Sequence, residues 1–152
     1  METIYSVKTI KVSLKVKEPQ TDKTVRDPET AVSILKEIYK SLDVDQEHFT
    51  ILILNKANKV TGYKVICSGA MDEVAIDARI VFRNAILMGA TALILAHNHP
   101  SGRKDPSPED FHITTKLKNG GELLGIKILD HIILAGSEYF SFRESCVGGL
   151  SQ

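Results

Sequence analysis

The chain has 152 residues, enough for one domain around a single core and too few for two. Nineteen basic residues balance nineteen acidic ones and 43% of the chain is apolar, a globular rather than a disordered profile that gives no general electrostatic grip on nucleic acid. Cys67 and Cys146 have no close spacing, no secretory signal precedes them and no apolar run nears membrane-spanning length. We therefore expect a cytoplasmic chain with reduced thiols and no membrane partner.

In chain order, Ile10, Val12, Leu14 and Val16 alternate with Lys11, Ser13 and Lys15, the period-two pattern of a half-buried strand. Its lysines suit a solvated or edge-protecting face. Residues 1–26 thus read as an N-terminal strand and linker, and 27–152 as the main domain. Asp27 as N-cap and Pro28 in the first turn open a helix whose apolar stripe is Ala31, Leu35, Ile38 and Leu42. "HFTILILN" is a strand, and the turn chemistry of "NKANK" leads into a second near "KVTGYKVICSG", making an antiparallel hairpin. Helical spacing runs from about Val74 to Met88, with Gly89 as its stop. "ATALILA" is a buried strand, Ser107 with Pro108 opens another helix, and "NGG" at 119–121 is expected to close it. "GIKILDHIILAG" and "EYFSF" supply the last strands. The plan is a three-layer α/β or α+β domain with a mixed sheet.

Chemistry concentrates where "ATALILA" ends, in "HNHPSGRKDPSPED". His97 and His99 lie at i and i+2, so on a strand both imidazoles share one face while Asn98 points away. Pro100, Ser101 and Gly102 turn the chain, and seven residues separate His99 from Ser107, enough to bring the next helix back over the histidines. The Asp110 carboxylate would complete a His, His, Asp set that suits zinc and leaves a fourth position for water. Ser107 and Asp110 also read as an ordinary helix start, a serine N-cap with a shortened capping box. The two roles are compatible if the backbone of Ser107 caps while its hydroxyl faces the site.

The same letters match His-x-His, seven residues, Ser-x-x-Asp, the signature of JAMM metalloproteases. "GATALILAHNHPSG", "GELLGIKILDHIIL" and "YFSFRE" resemble the JAB/MPN domain of RadC-family bacterial proteins, over about Asp27 to Glu144. This resemblance implies a cytidine-deaminase-like α/β fold and one catalytic zinc on His97, His99 and Asp110. It also implies a glutamate general base before an early core strand, the position of Glu47 in "DQEHFTILIL"; Asp72, Glu73 and Asp77 are weaker candidates. Ser107 matches the serine that holds the oxyanion. The implied reaction is hydrolysis of a peptide or isopeptide bond, with Glu47 taking the attacking water's proton and returning it to the departing amine.

A binding-module reading stands beside the enzyme: a JAB domain that retains the metal but serves in a DNA repair or mobile-element context by recruiting a partner or nucleic acid. RadC-family proteins are commonly labelled DNA repair proteins, and many carry an N-terminal helix-hairpin-helix segment. Here 26 lysine-dotted residues stand in that place, and nucleic acid is a possible partner that the charge does not indicate. The literal string "HNH" is not the spread motif of HNH nucleases, and a deaminase would need His-x-Glu followed by Pro-Cys-x-x-Cys. Asp130 and His131 could support the zinc ligands, with a buried hydrogen bond unrelated to metal as the simpler reading. His112 reads as a surface residue, Ser68 and Gly69 as a possible border of a substrate groove, and Cys67 has no sign of an activated thiolate. Ser101 and Arg79 match the family pattern with no assigned role. The sequence sets no oligomeric state.

Overall fold

A computed structural model describes residues 23–69 and 76–150. The predicted strand at Ile10–Val16, together with Asp72, Glu73 and Val74, lies outside the described residues. Helix α1 spans Pro28–Tyr39, strands β1 and β2 His48–Leu54 and Val60–Ser68, helix α2 Ala78–Leu87 and strand β3 Ala92–Asn98. Helix α3 follows at Pro108–Leu124, then β4 at Lys127–Ala135 and β5 at Glu138–Ser141. The five strands form one mixed sheet in the order β2-β1-β3-β4-β5. β1 is antiparallel to β2 and β3, β3 is parallel to β4 through the α3 crossover, and β5 returns antiparallel on β4. The expected α+β fold with a mixed central sheet and flanking helices is the one observed.

Strand alternation sorts the core into two layers. Phe49, Ile51 and Ile53 of β1 face the same way as Leu93 and Leu95 of β3, and α2 and α3 cover them with Val81, Phe82, Ile113 and Leu117. Leu52, Leu54, Ile94 and Ala96 face the other way, against Ala31, Val32, Leu35 and Tyr39 of α1. The α1 stripe is therefore centred one step from the expected one. Ile38 is only partly buried, and Leu42 lies past the end of the helix, with Val32 and Tyr39 taking the deeper places.

Helix starts follow their local chemistry. Asp27 accepts the amide of Thr30, and Asp77 accepts that of Arg79. Gly89, at φ 66°, ends α2 as predicted.

The end of α3 does not follow the prediction. The helix runs through Asn119, Gly120 and Gly121 to Leu124, and Gly125, in the left-handed region at φ 70°, is its cap. The two inner glycines answer to packing instead. A Cβ on Gly120 would stand 2.9 Å from the Phe82 ring of α2, and one on Gly121 would overlap the Ile126 carbonyl oxygen where the chain folds back into β4. Gly→Ala in a helix normally gains about 1 kcal/mol. Here Gly121→Ala should instead lower stability by about 1–3 kcal/mol, the usual cost of overpacking. Urea unfolding gives the sign directly, and a stabilised variant would refute this reading.

Candidate metal centre

Because β1 runs antiparallel to β3, the carboxyl end of β3 lies beside the segment entering β1, and all candidate site residues come from this end of the sheet. His97 is the last residue of β3 paired with β1, opposite Phe49, and is buried at 2% exposure. His99 follows past the strand end, its amide donating to the Leu134 carbonyl at 2.8 Å. The loop beyond turns at Gly102, whose amide donates to the His99 carbonyl, and the Lys104–Glu138 ion pair at 2.7 Å ties it to β5. It delivers the first turn of α3 over the histidines, as the spacing predicted.

The tautomers follow from their partners. Thr114 on α3 donates its hydroxyl proton to the Asp110 carbonyl, 2.6 Å away. With that proton spent, the 2.6 Å contact to His131 Nδ1 requires the imidazole to donate. Burial, chiefly, pushes the His131 pKa well down, so the ring is neutral. Its Nε2 is then a lone pair, and it accepts from His97 Nδ1 at 2.8 Å. His99 Nδ1 donates to the Arg103 carbonyl at 2.6 Å. Both Nε2 atoms consequently turn acceptor lone pairs toward the same point, 3.0 Å apart.

Asp110 joins them from the start of α3. Its Oδ1 is 3.2 Å from His97 Nε2 and its Oδ2 is 3.6 Å from His99 Nε2. Burial pushes this carboxyl up, but contacts to His97 and His99 and the Ser107 amide overcome that and hold it far below the ordinary carboxylate range. The His99 pKa moves up, first because of Asp110 and against burial, with Arg103 and Glu47 contributing. Three acceptors converging this closely call for a positive centre between them. Bonds of about 2.0–2.2 Å from a tetrahedral ion would place its ligands about 3.3–3.6 Å apart, close to the spacings observed. His97, His99 and Asp110 are thus a set that could hold a metal ion.

Ser107 sits at the N-cap with both halves of a capping box formed. Its Oγ accepts the Asp110 amide at 3.1 Å, and its own amide and hydroxyl donate to Asp110 Oδ2 at 2.7 and 2.9 Å. Capping therefore uses the hydroxyl as well as the backbone. These bonds fix Oδ2, the oxygen on the His99 side, and leave Oδ1 against His97.

Glu47 stands immediately before β1, half-buried. It precedes Phe49, the partner of His97, by two residues, and its charge helps raise the His99 pKa. Asp77, by contrast, caps α2 and is bridged by Arg79 at 2.7 Å.

A family model described as the RadC-like JAB domain matches residues 25–147. The chain belongs to the RadC-like JAB domain family. It is 42% identical over 120 residues to a UPF0758 protein of Desulforudis audaxviator, covering 79% of this chain and 51% of that protein. With a UPF0758 protein of Trichormus variabilis it shares 44% identity over 124 residues, 81% of this chain and 50% of that one. A UPF0758 protein of Staphylococcus haemolyticus is 46% identical over 105 residues, 69% of this chain and 46% of the relative. The chain thus spans about half the length of the curated relatives it matches.

In this RadC-like JAB domain, residues that the sequence left undecided support the candidate ligands. His131, read most simply as a buried hydrogen bond apart from any metal, bonds directly to His97. Its neighbour Asp130 points to the other face. There burial raises its pKa, while the Ser141 hydroxyl and the amides of Arg143 and His131 donate to it. Thr114 carried no signal in isolation, although it lies four residues, one helical turn, beyond Asp110. Ser68 lies against the His48 ring, its Oγ 2.6 Å from Nδ1. His112 is exposed, as expected. Among the described residues no helix is long and apolar enough to cross a membrane.

Proposed function

We propose that this RadC-like JAB domain is a zinc-dependent hydrolase of peptide or isopeptide bonds. The observation that supports it most is the convergence of His97 Nε2, His99 Nε2 and an Asp110 oxygen, with every other polar atom of the two rings committed as a donor elsewhere. Zinc bound there would lower the pKa of a water in the remaining position toward neutrality and polarise the substrate carbonyl. Glu47 then accepts the proton of the attacking water and returns it to the departing amine nitrogen. Ser107 Oγ stays in place as acceptor of the Asp110 amide, while its hydrogen swings from Asp110 Oδ2 to the developing oxyanion. That rotation is about one C–O bond and leaves the helix cap intact.

A cleft of about 490 Å³ opens beside His99, walled by Tyr39, Val44, Pro100 and Leu134 with Lys36 and Lys40 nearby. Its apolar walls suit the side chain of a bound peptide. The larger cavity, about 750 Å³, touches none of the three ligands. The test is cleavage of peptide and isopeptide libraries by the zinc-loaded chain, with loss of cleavage in Glu47→Gln. Salt-sensitive DNA binding without any cleavage would overturn the hydrolase in favour of a binding module.

The chain from His97 through His131 to Thr114 makes its own prediction. Thr114→Val keeps the volume but leaves the buried His131 Nδ1–H without its acceptor, freeing the ring to take the wrong tautomer. Zinc affinity should fall about 10-fold or more, as is usual when a supporting partner of a ligand is lost. Competition against a chromophoric chelator measures it; an unchanged affinity would mean that the tautomer chain has no bearing on the site.

A further inference from the structure

The residue between the two candidate ligands has so far had no task. Asn98 points to the face opposite His97 and His99, and its amide lies against the backbone that enters β1. Its Oδ1 accepts the His48 amide at 2.8 Å, and its Nδ2 donates to the Gln46 carbonyl at 2.8 Å. Only one orientation of the amide satisfies both, since the flipped group would set donor against donor and acceptor against acceptor. The two bonds bracket Glu47, one on each side. The carbonyl of Glu47 itself accepts the Gly69 amide at 2.9 Å. Its backbone is thus held at three consecutive points, leaving the carboxylate arm to move.

The regular pairing of β1 with β3 ends at Phe49 and His97. From there Asn98 continues the ladder with its side chain, doing for His48 and Gln46 what a further backbone pair would have done. The rest of the entering turn is held from other directions: Tyr39 donates to the His48 carbonyl at 2.7 Å, and the His48 ring lies 2.6 Å from both the Asp43 carbonyl and Ser68 Oγ. Asn98 is the group that fastens this turn directly to the strand carrying the ligands.

We propose that Asn98 is a positioning residue for Glu47, setting its distance from the His97, His99 and Asp110 site; this rests on the proposed role of Glu47 as general base. The chemistry selects asparagine. Aspartate at this place would accept from His48 but turn a charged oxygen on the Gln46 carbonyl, alanine makes neither bond, and glutamine carries its amide one methylene too far. A misplacement of about 1 Å costs a catalytic group on the order of 100-fold in rate.

The test uses Asn98→Ala and Asn98→Asp in the full chain. Amide exchange of His48, read against Leu52 in mid-β1, should speed up at least about tenfold in Asn98→Ala, because the amide loses its acceptor. Zinc content should stay at the wild-type level. On a library substrate that the wild type cleaves, kcat should fall about 10- to 100-fold with KM within about twofold. In a Glu47→Gln background, Asn98→Ala should cost nothing more. Asn98→Asp keeps the His48 contact, so its amide stays protected while kcat still falls; this variant decides if the alanine variant does not fold. Unchanged His48 exchange in Asn98→Ala, a parallel loss of zinc, or an additive loss with Glu47→Gln would each overturn the proposal. A wild type that holds no zinc or cleaves nothing, with His48 exchange still responding, brings down the hydrolase reading alone and leaves the fastening of Glu47 established.

Discussion

His97→Ala should leave the chain unable to retain zinc. The substitution removes one of the three proposed ligand atoms, and it also withdraws the proton that His131 Nε2 accepts, leaving a fully buried acceptor unpaired. The loss of affinity should therefore exceed the 10- to 100-fold typical of a supporting residue. Stability should drop as well, by about 1–3 kcal/mol for the orphaned partner alone. Since His97 is buried against Phe49, with ring centroids 6.3 Å apart, His99→Ala is the companion variant. His99 lies past the strand end and is less buried, so its removal should spare the fold while abolishing zinc retention. Metal analysis of the purified proteins decides the matter, together with the rise in melting temperature on adding zinc, which a bound ligand must produce and a lost site cannot. Zinc near one per chain in both variants would mean that these residues are not the ligands.

Glu47→Gln should produce the largest loss of turnover with the least change elsewhere. The amide matches the carboxylate in shape and keeps hydrogen-bonding capacity but cannot accept a proton at working pH. Positioned general bases contribute about 10²- to 10⁴-fold, and kcat should fall by that range. Substrate contacts are not removed, so KM should move only a few-fold. Zinc content should match the wild type, since Glu47 lies on the segment before β1 and is not one of the three converging groups. Steady-state kinetics beside metal analysis separates these terms. Turnover within tenfold of wild type would remove Glu47 from the mechanism and direct attention to another acid.

Much of the site was legible because its parts are encoded locally. His97 and His99 are two residues apart on a strand, so period two alone predicts a common face, and the structure brings their Nε2 atoms to 3.0 Å. Ser107, Pro108 and Asp110 carry a helix start in their own letters, and the capping box forms. The failures share a different cause. The glycine pair in α3 carries a stop signal in its letters, whereas Gly120 and Gly121 are small to admit the Phe82 ring of α2 and the Ile126 carbonyl of the turn beyond the helix. The bond of His131 is not legible from its neighbours, because its partner, His97, lies 34 residues away.

The sequence by itself determined the fold class, the converging pair of histidines, the length of the returning loop and the acid at its far end. All of these follow from periods, caps and spacings that neighbouring residues impose on one another. Only the tertiary structure decided which ring nitrogens face inward, because that depends on Thr114, His131 and Arg103 as hydrogen-bond partners. It likewise decided what lies across from His97, through the antiparallel register of β1 and β3, and what Asn98 holds, through a contact spanning 50 residues. Local patterns fix where a side chain points; which group waits there is settled by strand pairing between distant segments, and no short stretch of sequence carries that register.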